Sequence, residues 1–137
     1  MAVEFYKGIW PIDNYVSNGG EWFVNLTYDD RRKYVDAFEQ LPLAIEVQTK
    51  FERVGLVHAQ VPYNEWCCFE TMFRHDLEAV ALWSRTKINT RDPSPVVGID
   101  KVYVGHTVLN EPCVLGNVHY IDIGACFYNR DLVLRKL

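Results

Sequence analysis

Two rhythms of apolar residues run along this chain. Tyr34, Val35, Phe38 and Leu41 recur at helical spacing behind Thr27-Tyr28-Asp29-Asp30, which reads as a helix start with Thr27 as N-cap and acids in the first turn. Pro42 ends that helix, because the residue before a proline avoids the helical region. Leu43 to Val47 and Arg53 to Ala59 read as strands, and the short stretch between them as a hairpin connection. Phe69, Met72, Phe73, Leu77, Val80 and Ala81 predict a second amphipathic helix. After a proline-bearing loop, Lys101 to Val104, Val118 to Ile123 and Asp131 to Leu134 are strand-like, with Asn129-Arg130 near the last turn. Met1 to Ser17 carries neither rhythm and reads as irregular. The order helix, two strands, helix, several strands predicts an α+β fold, a mixed or antiparallel sheet flanked by two main helices.

A length of 137 residues predicts one domain over 1–137, its body at 18–137 behind the irregular segment 1–17. Hydrophobic residues at 49% and charged residues at 23% describe a globular chain. Aromatics at 14% leave some rings for an interface as well as a core. The net charge of −4 argues against direct nucleic-acid or anionic-membrane binding, which draws on clustered Lys and Arg. The one basic run, Arg31-Arg32-Lys33, reads as a solvated helix face. Cys67, Cys68, Cys113 and Cys126 form no C-x-x-C pair, so no zinc ribbon is expected. Neither a basic leader with an apolar core nor a membrane-length apolar run occurs, so the expectation is a cytoplasmic protein with reduced thiols.

His58 ends the apolar run Val54-Gly55-Leu56-Val57, and His106 ends Val102-Tyr103-Val104-Gly105. Functional groups gather at the C-terminal edges of strands in sheet enzymes. One such histidine is ordinarily structural; two in one small domain open a metal or phosphate site as an equal alternative. Imidazole suits several divalent ions, so the histidines do not choose the metal. Arg85, in Leu82-Trp83-Ser84-Arg85, offers a planar fork for phosphate oxygens, or else a cation complementing a helix end. His75 and His119 read as exposed or structural, and no nucleophile–base pair or phosphate-cradling glycine loop stands out.

Six stretches occur together in order: Asn18-Gly19-Gly20-Glu21-Trp22-Phe23, Leu41-Pro42-Leu43, Gly55-Leu56-Val57-His58-Ala59, Leu82-Trp83-Ser84-Arg85, Val104-Gly105-His106-Thr107 and Tyr120-Ile121-Asp122-Ile123-Gly124-Ala125. The set resembles the C-terminal half of the phosphoprotein phosphatase family of binuclear metallophosphatases, in its bacterial and phage branch. The resemblance implies a truncated metallophosphatase-like fold. It gives His58 and His106 the role of ligands to the second metal ion and Arg85 a hold on substrate phosphate. Ile123 departs from the threonine usual there.

The family's G-D-x-H-G, G-D-x-x-D-R-G and G-N-H-E motifs do not occur in these residues. In the family they supply the first metal's protein ligands, the bridging carboxylate and the catalytic acid. A two-metal site clamps both the attacking and the leaving oxygen, and two neutral imidazoles without a bridging carboxylate hold hard dications weakly. Losing a general acid typically costs a further factor of about 10² to 10⁴. The resemblance therefore implies a catalytically incomplete serine/threonine phosphatase-like protein. One expectation is a phage or mobile-element protein that needs no cofactor and binds and inhibits a host protein, such as a host-defence factor. The alternative is half of a split phosphatase that acts on phosphoserine and phosphothreonine with manganese or another divalent metal, once joined to an N-terminal half. An independent hydrolase with a rebuilt metal site ranks below both. Apolar surface left by the absent half predicts a protein partner or a homo-oligomer.

Overall fold

The computed structural model describes residues 2–125 and 132–133, and the chain divides into two compact units, Met1–Pro42 and Leu43–Leu137. The turn expected at Asn129-Arg130 lies outside the described residues, as do both ends of the strand expected at Asp131 to Leu134, whose described residues Leu132 and Val133 are not in a strand.

The first unit is helical. It holds α1 (Ala2–Tyr6), α2 (Ile12–Tyr15), a wide turn over Val16–Gly20, α3 (Glu21–Val24) and α4 (Tyr28–Glu39). The segment expected to be irregular is thus built of short helices. Elements of five and four residues are too brief to display a repeating apolar face, and they depend on tertiary contacts for stability. Those contacts are aromatic. Tyr15, Phe23 and Val35 are buried, and Phe5 stacks on Tyr15 with ring centroids 4.6 Å apart. Gly20 is needed for this packing, because a Cβ there would lie 2.3 Å from the Tyr15 ring. Thr27 caps α4 as the sequence predicts, its hydroxyl oxygen accepting the Asp30 N–H at 3.2 Å. Of the predicted apolar face only Val35 is buried, while Tyr34 is 44% and Leu41 55% exposed.

The second unit is built on a five-stranded mixed sheet. Its elements are β1 (Ala44–Gln48), β2 (Arg53–Val57), α5 (Cys68–Thr71), α6 (Arg74–Trp83), α7 (Thr86–Asn89), β3 (Lys101–Val104), β4 (Cys113–Leu115) and β5 (Val118–Tyr120). The strand order is β1-β2-β3-β5-β4. β2, β3 and β5 run parallel at the centre, with β1 and β4 antiparallel at the edges. Val57, Val102, Val104, Val118 and Tyr120 alternate onto one face and pack against Trp66, Ala81 of α6 and Ile88 of α7.

Two features tie this core. Gly55 leaves room for Trp66, whose ring would lie 2.5 Å from a Cβ at that position. The Trp66 indole N–H donates to Glu46 at 2.7 Å, and Glu46 takes the Arg53 fork on both oxygens at 2.9 Å. Asn117 works like a missing rung of the sheet. Its side-chain oxygen accepts the Val96 N–H at 2.8 Å, and its NH₂ donates to the Val96 and Ile99 carbonyls, each at 2.9 Å.

The helix predicted from Phe69 to Ala81 is not continuous. Met72 is extended (φ −114°, ψ 157°) and separates α5 from α6. One helix through this stretch would align Phe73 with Phe69 and Leu77, four residues away on either side, but Phe73 is 76% exposed. The break lets Leu77 and Ala81 face the core without burying that ring.

Candidate metal and phosphate site

His58 follows β2 directly. His106 and Asp122 each stand two residues beyond the ends of β3 and β5. All three are therefore carried by the C-terminal ends of the three parallel strands, where an open α/β sheet gathers ligand-binding groups. They line a cleft of about 480 Å³ whose walls include Leu56, Tyr103 and Ile121. His58 Nε2 lies 3.1 Å from His106 Nδ1.

The backbone works to make that approach. Gly105 N–H donates to the His58 carbonyl at 2.9 Å, locking the two strand ends together. His106 itself has φ +65°, and Thr107 N–H reaches back over it to the Gly105 carbonyl at 2.7 Å. A γ-turn with positive φ is rare and strained. A non-glycine residue held there costs about 1–3 kcal/mol, and such costs concentrate at functional positions. His106 Nε2 is buried with no hydrogen-bond partner among the described residues.

The surroundings push both imidazoles toward the neutral form. Burial pushes the His58 pKa down, opposed by the charge of Asp122. His106 is lowered by burial first, then by the positive charge of Arg85 and by His58. The Trp83 backbone carbonyl and Asp122 pull His106 the other way, although the carbonyl does not complete a hydrogen bond of ordinary geometry to Nε2.

Arg85 sits at the corner between α6 and α7. Gln60, two residues after His58, pins that corner: its side-chain oxygen accepts from the Ser84 hydroxyl and the Lys87 N–H, both at 3.0 Å. Ala59 N–H also donates to the Ala81 carbonyl at 2.8 Å. The end of β2 is thereby stitched to the end of α6, and Arg85 is brought within electrostatic reach of His106. Among the described residues its guanidinium makes no ion pair.

Of the residues chosen from sequence, His58 and His106 thus meet, while Arg85 stands within electrostatic reach of His106 without lining the cleft. Asp122 is not among the residues the sequence pointed to, although it too is a polar residue directly after an apolar stretch, Tyr120-Ile121. His75 pairs with its neighbour Asp76 on an exposed surface, and His119 lies within β5 against the Tyr103 ring.

The donors suit two adjacent positions around a metal ion. Two nitrogens each about 2.1 Å from one ion, at roughly a right angle, stand about 3 Å apart, close to the observed 3.1 Å. Among the described residues no cluster of three His, Cys, Asp or Glu side chains could hold an ion. The pair supplies part of a coordination sphere and the rest must come from other groups.

No protein-family model matches the sequence. Curated relatives do. The chain is 34% identical to serine/threonine-protein phosphatase 1 of Salmonella typhimurium over 117 residues, which is 82% of this chain and 51% of that protein. It is 29% identical to serine/threonine-protein phosphatase 2 of the same organism over 114 residues, 79% of this chain and 50% of that one. No helix among the described residues is long and apolar enough to cross a membrane. The chain spans about half the length of these curated relatives, and it is a homologue of the serine/threonine-protein phosphatases that matches the C-terminal half of one.

Proposed function

We propose that these residues form the half of a serine/threonine phosphatase-like protein that contributes ligands to one metal ion and a hold on substrate phosphate, and that they are catalytically incomplete by themselves. The carrying observation is the approach of His58 Nε2 to His106 Nδ1, supported by a strained turn and by Arg85 in electrostatic reach. In this reading the imidazoles offer lone pairs to manganese or another divalent ion, and the guanidinium forks onto phosphate oxygens. The ion, when bound, neutralises charge on the phosphoryl group. A bridging carboxylate and a general acid have to come from groups outside these 137 residues.

Two finer readings share that core. In one, the chain acts by binding and inhibiting a host protein. Exposed apolar side chains favour this, with Ile45 at 50%, Phe51 at 84% and Phe73 at 76%. In the other, a polypeptide bearing the three absent motifs completes a phosphatase, which the meeting of the two strand-end histidines favours. Hydrolysis of an aryl phosphate with manganese separates them. The chain alone is expected to be inactive. Activity that appears on adding the N-terminal half of a related phosphatase, and vanishes in His58→Ala, supports completion. Brisk turnover by the chain alone would sink the common core.

A further inference from the structure

We propose that Asp122 is a positioning residue for a divalent cation held by His58 and His106, supplying negative charge from the third parallel strand end; this rests on the reading of the histidine pair as a metal site. Three observations carry it. First, Asp122 lines the same cleft as both histidines. Second, its carboxylate is itself held. Oδ1 accepts the Gly124 N–H at 2.9 Å, an Asx-type turn that φ +83° at Gly124 allows. Oδ2 faces Gly105, 3.8 Å from where a Cβ on that residue would stand. Third, the Asp122 carbonyl accepts the Leu109 N–H at 2.9 Å. Asp122 therefore ties the loop that follows the strained Gly105–Thr107 turn through its backbone, while its side chain is fixed by Gly124.

The charge logic agrees. Two neutral imidazoles bring no negative charge to a dication, and Arg85 nearby opposes one. Asp122 is the carboxylate among the described residues that lines the cleft with both rings. Its negative charge favours a cation between them. Carboxylates just outside the ligand shell tune affinity in this way, and removing one typically weakens binding about 10- to 100-fold.

The test is a cobalt(II) titration of the full chain, read by calorimetry and by visible absorption. Asp122→Asn keeps an acceptor for Gly124 and removes the charge. It is expected to bind cobalt about 10- to 100-fold more weakly than the unaltered chain at an unchanged melting temperature. Equal affinity would overturn the role of Asp122 and leave the histidine pair standing. No cobalt binding by the unaltered chain, or binding that survives His58→Ala with His106→Ala, would overturn both. If Asp122→Asn does not fold, Asp122→Glu decides: retained affinity upholds the role, and a loss as large as that of His58→Ala overturns it.

Discussion

The two compact units solve the problem of a small core in different ways. Among its described residues, Met1–Pro42 buries three hydrophobic side chains, Tyr15, Phe23 and Val35, and fills space with stacked and edge-on rings around short helices. Leu43–Leu137 buries alternate residues of a sheet and fixes its strand ends by register. Backbone pairing places His58 and His106 to within a hydrogen-bond length. The helical unit has no such ruler, and its geometry depends on how a few rings fit together. Chemistry that needs two atoms to meet is therefore found on the sheet.

Breaking each unit in its own terms sharpens the contrast. Trp66→Ala is expected to have the largest effect, about 3–5 kcal/mol, because it removes a buried indole. It also strips Glu46 of one hydrogen bond. Urea unfolding should show the loss, and hydrogen exchange should rise across β1, β2 and β3. Gly20→Val is the counterpart in the helical unit. Its side chain would press on the Tyr15 ring and backbone, and overpacking of this kind costs about 1–3 kcal/mol. Exchange should rise in α1 to α4 and stay unchanged in the strands. If strand amides loosen equally, the two units are one cooperative system.

His106→Gly works in the opposite direction. It relieves the positive-φ strain and removes the orphaned Nε2, so thermal melting should show a gain of about 1 kcal/mol. Cobalt binding should be lost in the same variant. A large destabilisation would mean that the ring, not its ligand role, justifies the turn.

The smallest effect is alkaline. Burial pushes the Cys68 thiol up to about 11 and the Tyr120 phenol up to about 12. Raised pKa values keep these groups protonated when folded, so their contribution is complete below the unfolded-state values. It is lost as pH rises through the folded-state ones. The melting temperature should fall between pH 9 and 11, and Cys68→Ala should flatten that decline. An unchanged slope in Cys68→Ala would place the thiol outside the core.

Much of this was readable in the sequence where the chain repeats itself. β2 and β3 are unbroken apolar runs ending in polar residues, and α4 carries its own cap. What escaped was short or non-local. β4 spans three residues. Its two-residue Gly116-Asn117 turn, with φ +60° at the glycine, is a hairpin signal that no long apolar run announced. The break at Met72 came from competition for burial, which a periodic pattern cannot express. Gln60 and Asp122 matter through partners 24 and 13 positions away, Ser84 and Leu109. No local pattern encodes such pairs.

Asn117 carries one more consequence, and it concerns ageing. Its carboxamide stands in for a peptide group, with both N–H bonds aimed at carbonyl oxygens. Spontaneous deamidation would replace those donors with a carboxylate oxygen facing two acceptors. A change of one mass unit would thus set like partial charges against each other beside the core strands, and the oldest molecules in a preparation should be the first to unfold.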